Sequence, residues 1–148
     1  MKRPFEIYIL GLLILFISAG AIYGGGSMIM APNGSLLKMD SDWLEMLPFP
    51  NFLIPGIILL LFLGIFPLAA LAGLFIQKKV RVLNSINIFK DKRWGWTFSL
   101  YTGIISVIWI VVQQLLTDYF VLQPVISGAG LLIIIFTLMP RVQKYFTV

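Results

Sequence analysis

The sequence predicts an all-α membrane protein: a four-transmembrane-helix bundle with a short extracytoplasmic interfacial helix between helices 1 and 2. Three observations carry this. Hydrophobic residues make up 59% of the 148 and charged residues 11%, against about half and about a quarter in a soluble domain. Four apolar runs, about 7–28, 55–77, 96–116 and 120–138, each approach the roughly 20 residues that cross a bilayer core. Ten of the eleven basic residues fall before, between or after these runs in positions that share one side. A single domain, 1–148, uses the whole chain.

The first run follows MKRPFEIY, a basic start like that of a signal peptide. It continues from about Ile7 to Met30, longer than a signal core, so it reads as a retained span. Gly20 and Gly24 have the small-xxx-small spacing that lets a neighbouring backbone approach. In the second run Pro55 suits a first turn. Pro67 lies mid-helix, where it frees the carbonyl of Leu63 and predicts a bend. Ala69 and Gly73 repeat the small-residue spacing.

The third run opens in RWGW at 93–96; Trp94, Trp96 and Tyr101 are ring types that prefer headgroup level. A turn at 117–119 leads to the fourth run, which Pro140 is expected to close. Lys2 and Arg3, the cations of 78–93, and Arg141 with Lys144 put both termini and the middle loop in the cytoplasm. The connector after span one and Asp118 lie outside.

The connector KMDSDWLEMLPFPNFLIPG holds three of the six acids. Asp42 followed by Glu45 has capping-box spacing and predicts a short helix at about Asp42 to Leu47, with Trp43, Leu44 and Leu47 against the membrane or the bundle. Asp40, Asp42 and Glu45 match no calcium loop, and capping and solubility outrank acid–base work for them. Pro32-Asn33-Gly34-Ser35 is a turn that also fits a glycosylation acceptor. In the middle loop, Val82, Leu83, Ile86 and Phe89 suit one face of an interfacial helix, although VRVLNSINIF also alternates like a hairpin strand.

Composition excludes much chemistry. Cysteine and histidine are absent, which removes disulfides, thiol catalysis, the usual haem and zinc ligands and the ordinary neutral-pH acid–base group. No catalytic residue, metal site or cofactor is expected. The net charge of +5 fits orientation against anionic lipid better than nucleic-acid binding. No Asp, Glu, Lys or Arg lies within the spans, which disfavours an ion-coupled transporter. Ser18, Ser99, Thr102, Ser106, Gln113, Gln114, Gln123, Ser127 and Thr137 remain, read first as glue within and between helices. Gln113 and Gln123 stand out, because the turn at 117–119 places both amides in the outer layer beneath the connector. There an interhelical hydrogen bond leads, and a polar patch at the mouth of an apolar pocket is the functional alternative.

PNGSLLKM followed by LEMLPFPNFLIPGIILL, then WIVVQ, VLQP, GAG and PRVQKYF, resembles a widespread group of small bacterial four-helix membrane proteins of unassigned function. The resemblance covers most of the chain from about Pro32. It implies a cytoplasmic or inner membrane setting and the same four spans, supplies no catalytic residues, and includes the connector and the Gln113/Gln123 region in the shared pattern.

The expected function is therefore non-enzymatic: binding a lipid or hydrophobic molecule, with Trp43, Asp42, Glu45, Gln113 and Gln123 as candidate binding residues, or serving as an accessory subunit of a membrane complex. The expected partners are membrane lipids, anionic headgroups at loop 78–93, and a second copy or a membrane-protein partner. The alternative is an oligomeric small-molecule transporter or channel.

Overall fold

The computed structural model describes all 148 residues and is helical throughout, with one isolated bridge, Lys92 to Thr147, as its extended pairing. Three helices are long and apolar enough to cross a membrane: α1 (Phe5–Met30), a continuous helix over Leu53–Phe75, and α6 (Trp94–Leu116). A fourth candidate is the pair α7 (Leu122–Leu138) and α8 (Pro140–Phe146), bent by 65°. The Leu53–Phe75 helix consists of α3 (Leu53–Leu59), a π-helical segment (Leu60–Ile65) and α4 (Phe66–Phe75). One-turn α2 (Trp43–Met46) lies in the connector, and α5 (Arg81–Ile86) in the loop after α4.

α1 buries Ile7, Leu10, Ile14, Ile17 and Ala21, a stripe spaced alternately by three and four residues. That spacing keeps one face towards its neighbours, while the equally apolar Leu12, Leu15 and Phe16 stay exposed. Exposed apolar side chains continue over the other long helices, as at Phe62, Ile108 and Leu132. This is the surface a bilayer solvates.

Successive helices cross where glycine meets glycine. A Cβ on Gly25 would stand 2.8 Å from the Gly56 carbonyl, one on Gly73 2.6 Å from Gly95 Cα, and one on Gly103 2.8 Å from the Gly130 carbonyl. Each crossing thus excludes any larger residue. The Gly20/Gly24 spacing is not the contact expected of it: a Cβ on Gly20 would meet nothing within 4 Å, and one on Gly24 would meet only Leu59, at 3.4 Å. Gly25, one residue on, faces the neighbouring helix. Gly73 does pack closely, but within the chain.

Pro67 lies within a helix that runs unbroken over Leu53–Phe75. Its missing N–H is absorbed by the π segment just before it, and the hydroxyl of buried Ser18 donates to the Gly64 carbonyl at 2.7 Å. Of the other buried hydroxyls, Thr97 donates to Asn87 Oδ1, while four bond within their own helices: Ser99 to Gly95 O, Thr102 to Phe98 O, Ser106 to Thr102 O and Thr137 to Ile133 O.

Several local expectations are corrected. Asp42 makes no side-chain cap, because its φ and ψ (−63°, −25°) are already helical. Its N–H instead donates to Asp40 Oδ1 at 3.1 Å, so the Asp42/Glu45 capping box does not form. The middle loop is helical at Arg81–Ile86 rather than a hairpin, with Val82 and Ile86 exposed and Leu83 half-buried. Phe89 lies beyond that helix, edge-on to Trp96 at 5.3 Å. Trp94 and Trp96 are 4% exposed and packed inside the molecule; their indole N–H groups donate to Lys78 O and Thr137 O. Pro140 follows the end of α7 at Leu138, as expected, but a further helix comes after α7. Pro140 starts this helix, α8, where its fixed φ and lack of an N–H suit a first turn.

Both ends of the chain and the 78–93 loop meet at one end of the molecule. Arg3 Nη2 donates to Phe75 O, Arg93 N to Phe146 O and Val148 N to Asp91 O. The connector closes the opposite end, where Phe52, 1% exposed, donates its N–H to Pro32 O at 2.8 Å. Gly34 permits this closure: it has φ of +81°, and a Cβ there would stand 2.9 Å from the Phe52 ring.

Candidate functional site

Beneath the connector lies an apolar cavity of about 480 Å³. α1 supplies Phe16, Ile17, Gly20, Ala21, Tyr23, Gly24 and Met28, the second long helix Leu59 and Leu63, and α6 Trp109, Ile110 and Gln113. Thr117, Phe120, Leu122 and Ile126 form the side nearest α7, and Leu37, Lys38, Met39 and Trp43 form the roof. The cavity exists in part because Gly20 has no side chain to occupy it. The roof is made by 37–43 and not by the prolines at 48, 50 and 55.

Trp43 is the central piece of the roof. Its ring stacks on Phe120 with centroids 5.7 Å apart and planes 26° apart, and its Nε1 donates to Asp118 Oδ2 at 3.3 Å. Stacking supplies the area and the hydrogen bond the direction. Together they clasp the connector to the α6–α7 turn, 75 residues further along the chain.

The expected site residues separate into three groups. Trp43 and Gln113 line the cavity. Asp42 and Glu45 are exposed in the connector and do not line it. Gln123 is fully buried, next to the lining residue Leu122 but not itself part of the wall. Gln113 and Gln123 do not bond each other. Gln123 Nε2 donates to Thr117 Oγ1 at 3.2 Å and to Asp118 O at 3.4 Å, while Gln123 Oε1 is buried without a partner. The Asp118 carbonyl fixes this orientation, since only the NH₂ side of the amide can face an acceptor. Thr117 in turn donates through both N–H and Oγ1 to the backbone carbonyl of Gln113. The side-chain amide of Gln113 makes no hydrogen bond within the chain and borders the cavity.

Polar side chains in the lining are few: Gln113, Thr117 and Lys38, together with the Tyr23 hydroxyl and the indole N–H groups of Trp43 and Trp109. No acid lines the cavity. Fifteen of the twenty lining residues are hydrophobic. Asp118, Phe120, Trp109 and Lys38 were missed by sequence reasoning. The aromatic residues at 43 and 120, flanking the two outer turns, were the available signal.

At the other end a second, polar cavity of about 220 Å³ lies among Gln77, Lys78, Lys79, Asn84, Asn87, Lys90, Lys92 and Arg93. Buried Asn87 shapes it: Nδ2 donates to Lys92 O at 2.8 Å, and Oδ1 accepts from Phe89 N–H and from Thr97 Oγ1. Lys92 Nζ pairs with Asp91 at 2.7 Å, which holds the Asp91 carboxyl below the usual carboxylate range.

No protein-family model, curated protein or solved structure matches the chain.

Proposed function

We propose that the chain is a four-helix transmembrane bundle of a bacterial cytoplasmic membrane that holds a lipid, or another amphiphile with an apolar body, in the cavity beneath its outer connector. Both termini and the 78–93 loop face the cytoplasm, and α2 lies in the outer interface. The single observation that carries this reading is the 480 Å³ apolar cavity beneath Trp43, with few polar side chains in its lining. Its volume falls within the roughly 300–1,000 Å³ typical of small-molecule sites. Gln113 and Lys38 meet the polar end of the ligand, and the Trp43–Phe120–Asp118 clasp controls access from the outer leaflet.

Native mass spectrometry of protein extracted from its membrane tests this. Wild-type protein is expected to carry one amphiphile per chain, and Gly20→Leu, which places a side chain into the cavity, to carry none. Wild-type protein that emerges empty, or a Gly20→Leu variant as fully loaded as wild type, defeats the reading.

A helix of a partner protein seated on the same face is the second reading. It is favoured by Gly20, whose added Cβ would meet nothing within 4 Å. In that case the retained mass is a polypeptide.

A further inference from the structure

The polar cavity at the basic end has no place in amphiphile binding beneath the connector, and its charge is out of balance. Five cations line it, Lys78, Lys79, Lys90, Lys92 and Arg93, and no acidic side chain does. The molecule has two side-chain ion pairs, Lys92 with Asp91 and Arg141 with Glu6, so four of the five cations have no acidic side chain as partner. Their hydrogen bonding is equally incomplete. Lys90 donates to Asn84 O and Arg93 to Gln77 Oε1, both neutral acceptors. The ammonium groups of Lys78 and Lys79 donate to nothing.

This arrangement is built rather than accidental to a mobile loop. Lys78 is anchored through its carbonyl, which accepts from Trp94 Nε1 at 2.9 Å, and Trp94 is locked at the Gly73/Gly95 crossing. Lys92 is held by Asn87 through its backbone and by Asp91 and Thr147 through its ammonium. Val148 closes one side, its N–H donating to Asp91 O at 2.9 Å. Like charges are thereby brought together at a repulsive cost that a bound anion would offset.

We infer that this cavity is a binding site for a phosphate group, either on a lipid headgroup of the inner leaflet or on a soluble phosphorylated molecule. At about 220 Å³ it is smaller than a drug-sized site and suits a phosphate with a few attached atoms. Several ammonium groups and a guanidinium match the charge and the oxygen acceptors of a phosphomonoester better than a single carboxylate would. The lipid source rests on the orientation proposed above, whereas the soluble source does not.

Two titrations at constant ionic strength, read by the thermal unfolding midpoint, test the inference and separate the sources. Detergent-solubilised protein is titrated with inorganic phosphate against sodium chloride. Protein in phosphatidylcholine nanodiscs is compared with protein in discs containing phosphatidic acid. A saturable rise with inorganic phosphate supports the site and a soluble ligand; a rise only with phosphatidic acid supports the site and a lipid ligand. In either medium Lys78→Gln/Lys79→Gln is expected to weaken half-saturation by about 25-fold, taking about fivefold for each basic residue. Lys2→Gln/Lys144→Gln, at the same end but outside the cavity, should stay within about twofold of wild type. If the double cavity variant does not fold, Lys79→Gln alone is expected to lose about fivefold. No midpoint shift in either medium overturns the inference. So does equal weakening by the two double variants, since attraction is then diffuse.

Discussion

Gln113 and Gln123 have the same amide, and their surroundings give them different work. Gln123 is enclosed, with its NH₂ spent on Thr117 and Asp118 and its oxygen left without a donor. An unsatisfied buried acceptor costs about 1–3 kcal/mol, roughly what its two bonds return. Gln123→Leu is therefore expected to keep the thermal unfolding midpoint within a few degrees of wild type. Gln113→Leu is likewise expected to leave stability unchanged, but to weaken amphiphile retention by about tenfold, since it removes a free amide facing the cavity. Stability by thermal unfolding and retention by lipid exchange separate the two roles; a stability loss at both positions with retention intact would make both purely structural. Their shared level was legible in sequence from the intervening turn. Which side of each helix they occupy was not, because Leu115, Leu116 and Leu122 around them are as oily as the core and leave no amphipathic stripe to read. The same holds in α1, where buried Leu10 and exposed Leu12 are one residue type. Asp42 and Glu45 show the converse: spacing suggested a cap, and a local turn through Asp40 displaced it.

Among the elements, the glycine crossings decide the packing. Gly95→Ala would drive a methyl group into the Gly73 backbone, and with backbone on both sides neither helix can yield by a rotamer change. A loss of about 1–3 kcal/mol is expected, the usual cost of overpacking a close contact. Gly26→Ala, where nothing lies within 4 Å, is expected to be neutral or mildly stabilising through helix propensity. Equal effects of the two substitutions, measured by reversible unfolding in mixed micelles, would show that the crossings do not hold the helices together. Sequence located the long helices to within about two residues, because hydropathy reports length directly. It misassigned the contact glycine in α1 by one position. A small-residue spacing fixes a face only when the helix phase is known, and the triplet Gly24-Gly25-Gly26 offers three phases.

For the whole molecule, the distribution of charge has a consequence for topology. Nine of the eleven basic residues gather at one end: five line the polar cavity around 78–93, and Lys2, Arg3, Arg141 and Lys144 border a separate hollow beside Glu6. Insertion with that end in the cytoplasm is expected. The natural absence of cysteine makes the check clean: a single Ser85→Cys, in α5, should react with an impermeant maleimide only after the cells are opened, and Ser35→Cys should react in intact cells. The reverse pattern would invert the molecule and move the phosphate site to the outer surface. The gathering of cations at one end was legible in sequence, but the cavity was not. It depends on α8 folding back by 65° to bring Phe146 and Val148 against the loop, and no local signal other than Pro140 marks that turn.

The π segment at Leu60–Ile65 lets one helix change partners along its length, offering Gly56 to α1 on one side of it and Gly73 to α6 on the other. A π turn holds one residue more than the α turn it replaces, so each residue gained or lost rotates everything beyond it by about 100°. Removing a single residue between 60 and 65 would keep the helix and its hydropathy intact, yet swing one of the two glycines away from its partner. Insertions and deletions should thus be tolerated worse in this short stretch than anywhere in the exposed loops, although it carries no charge, no catalytic group and no unusual composition.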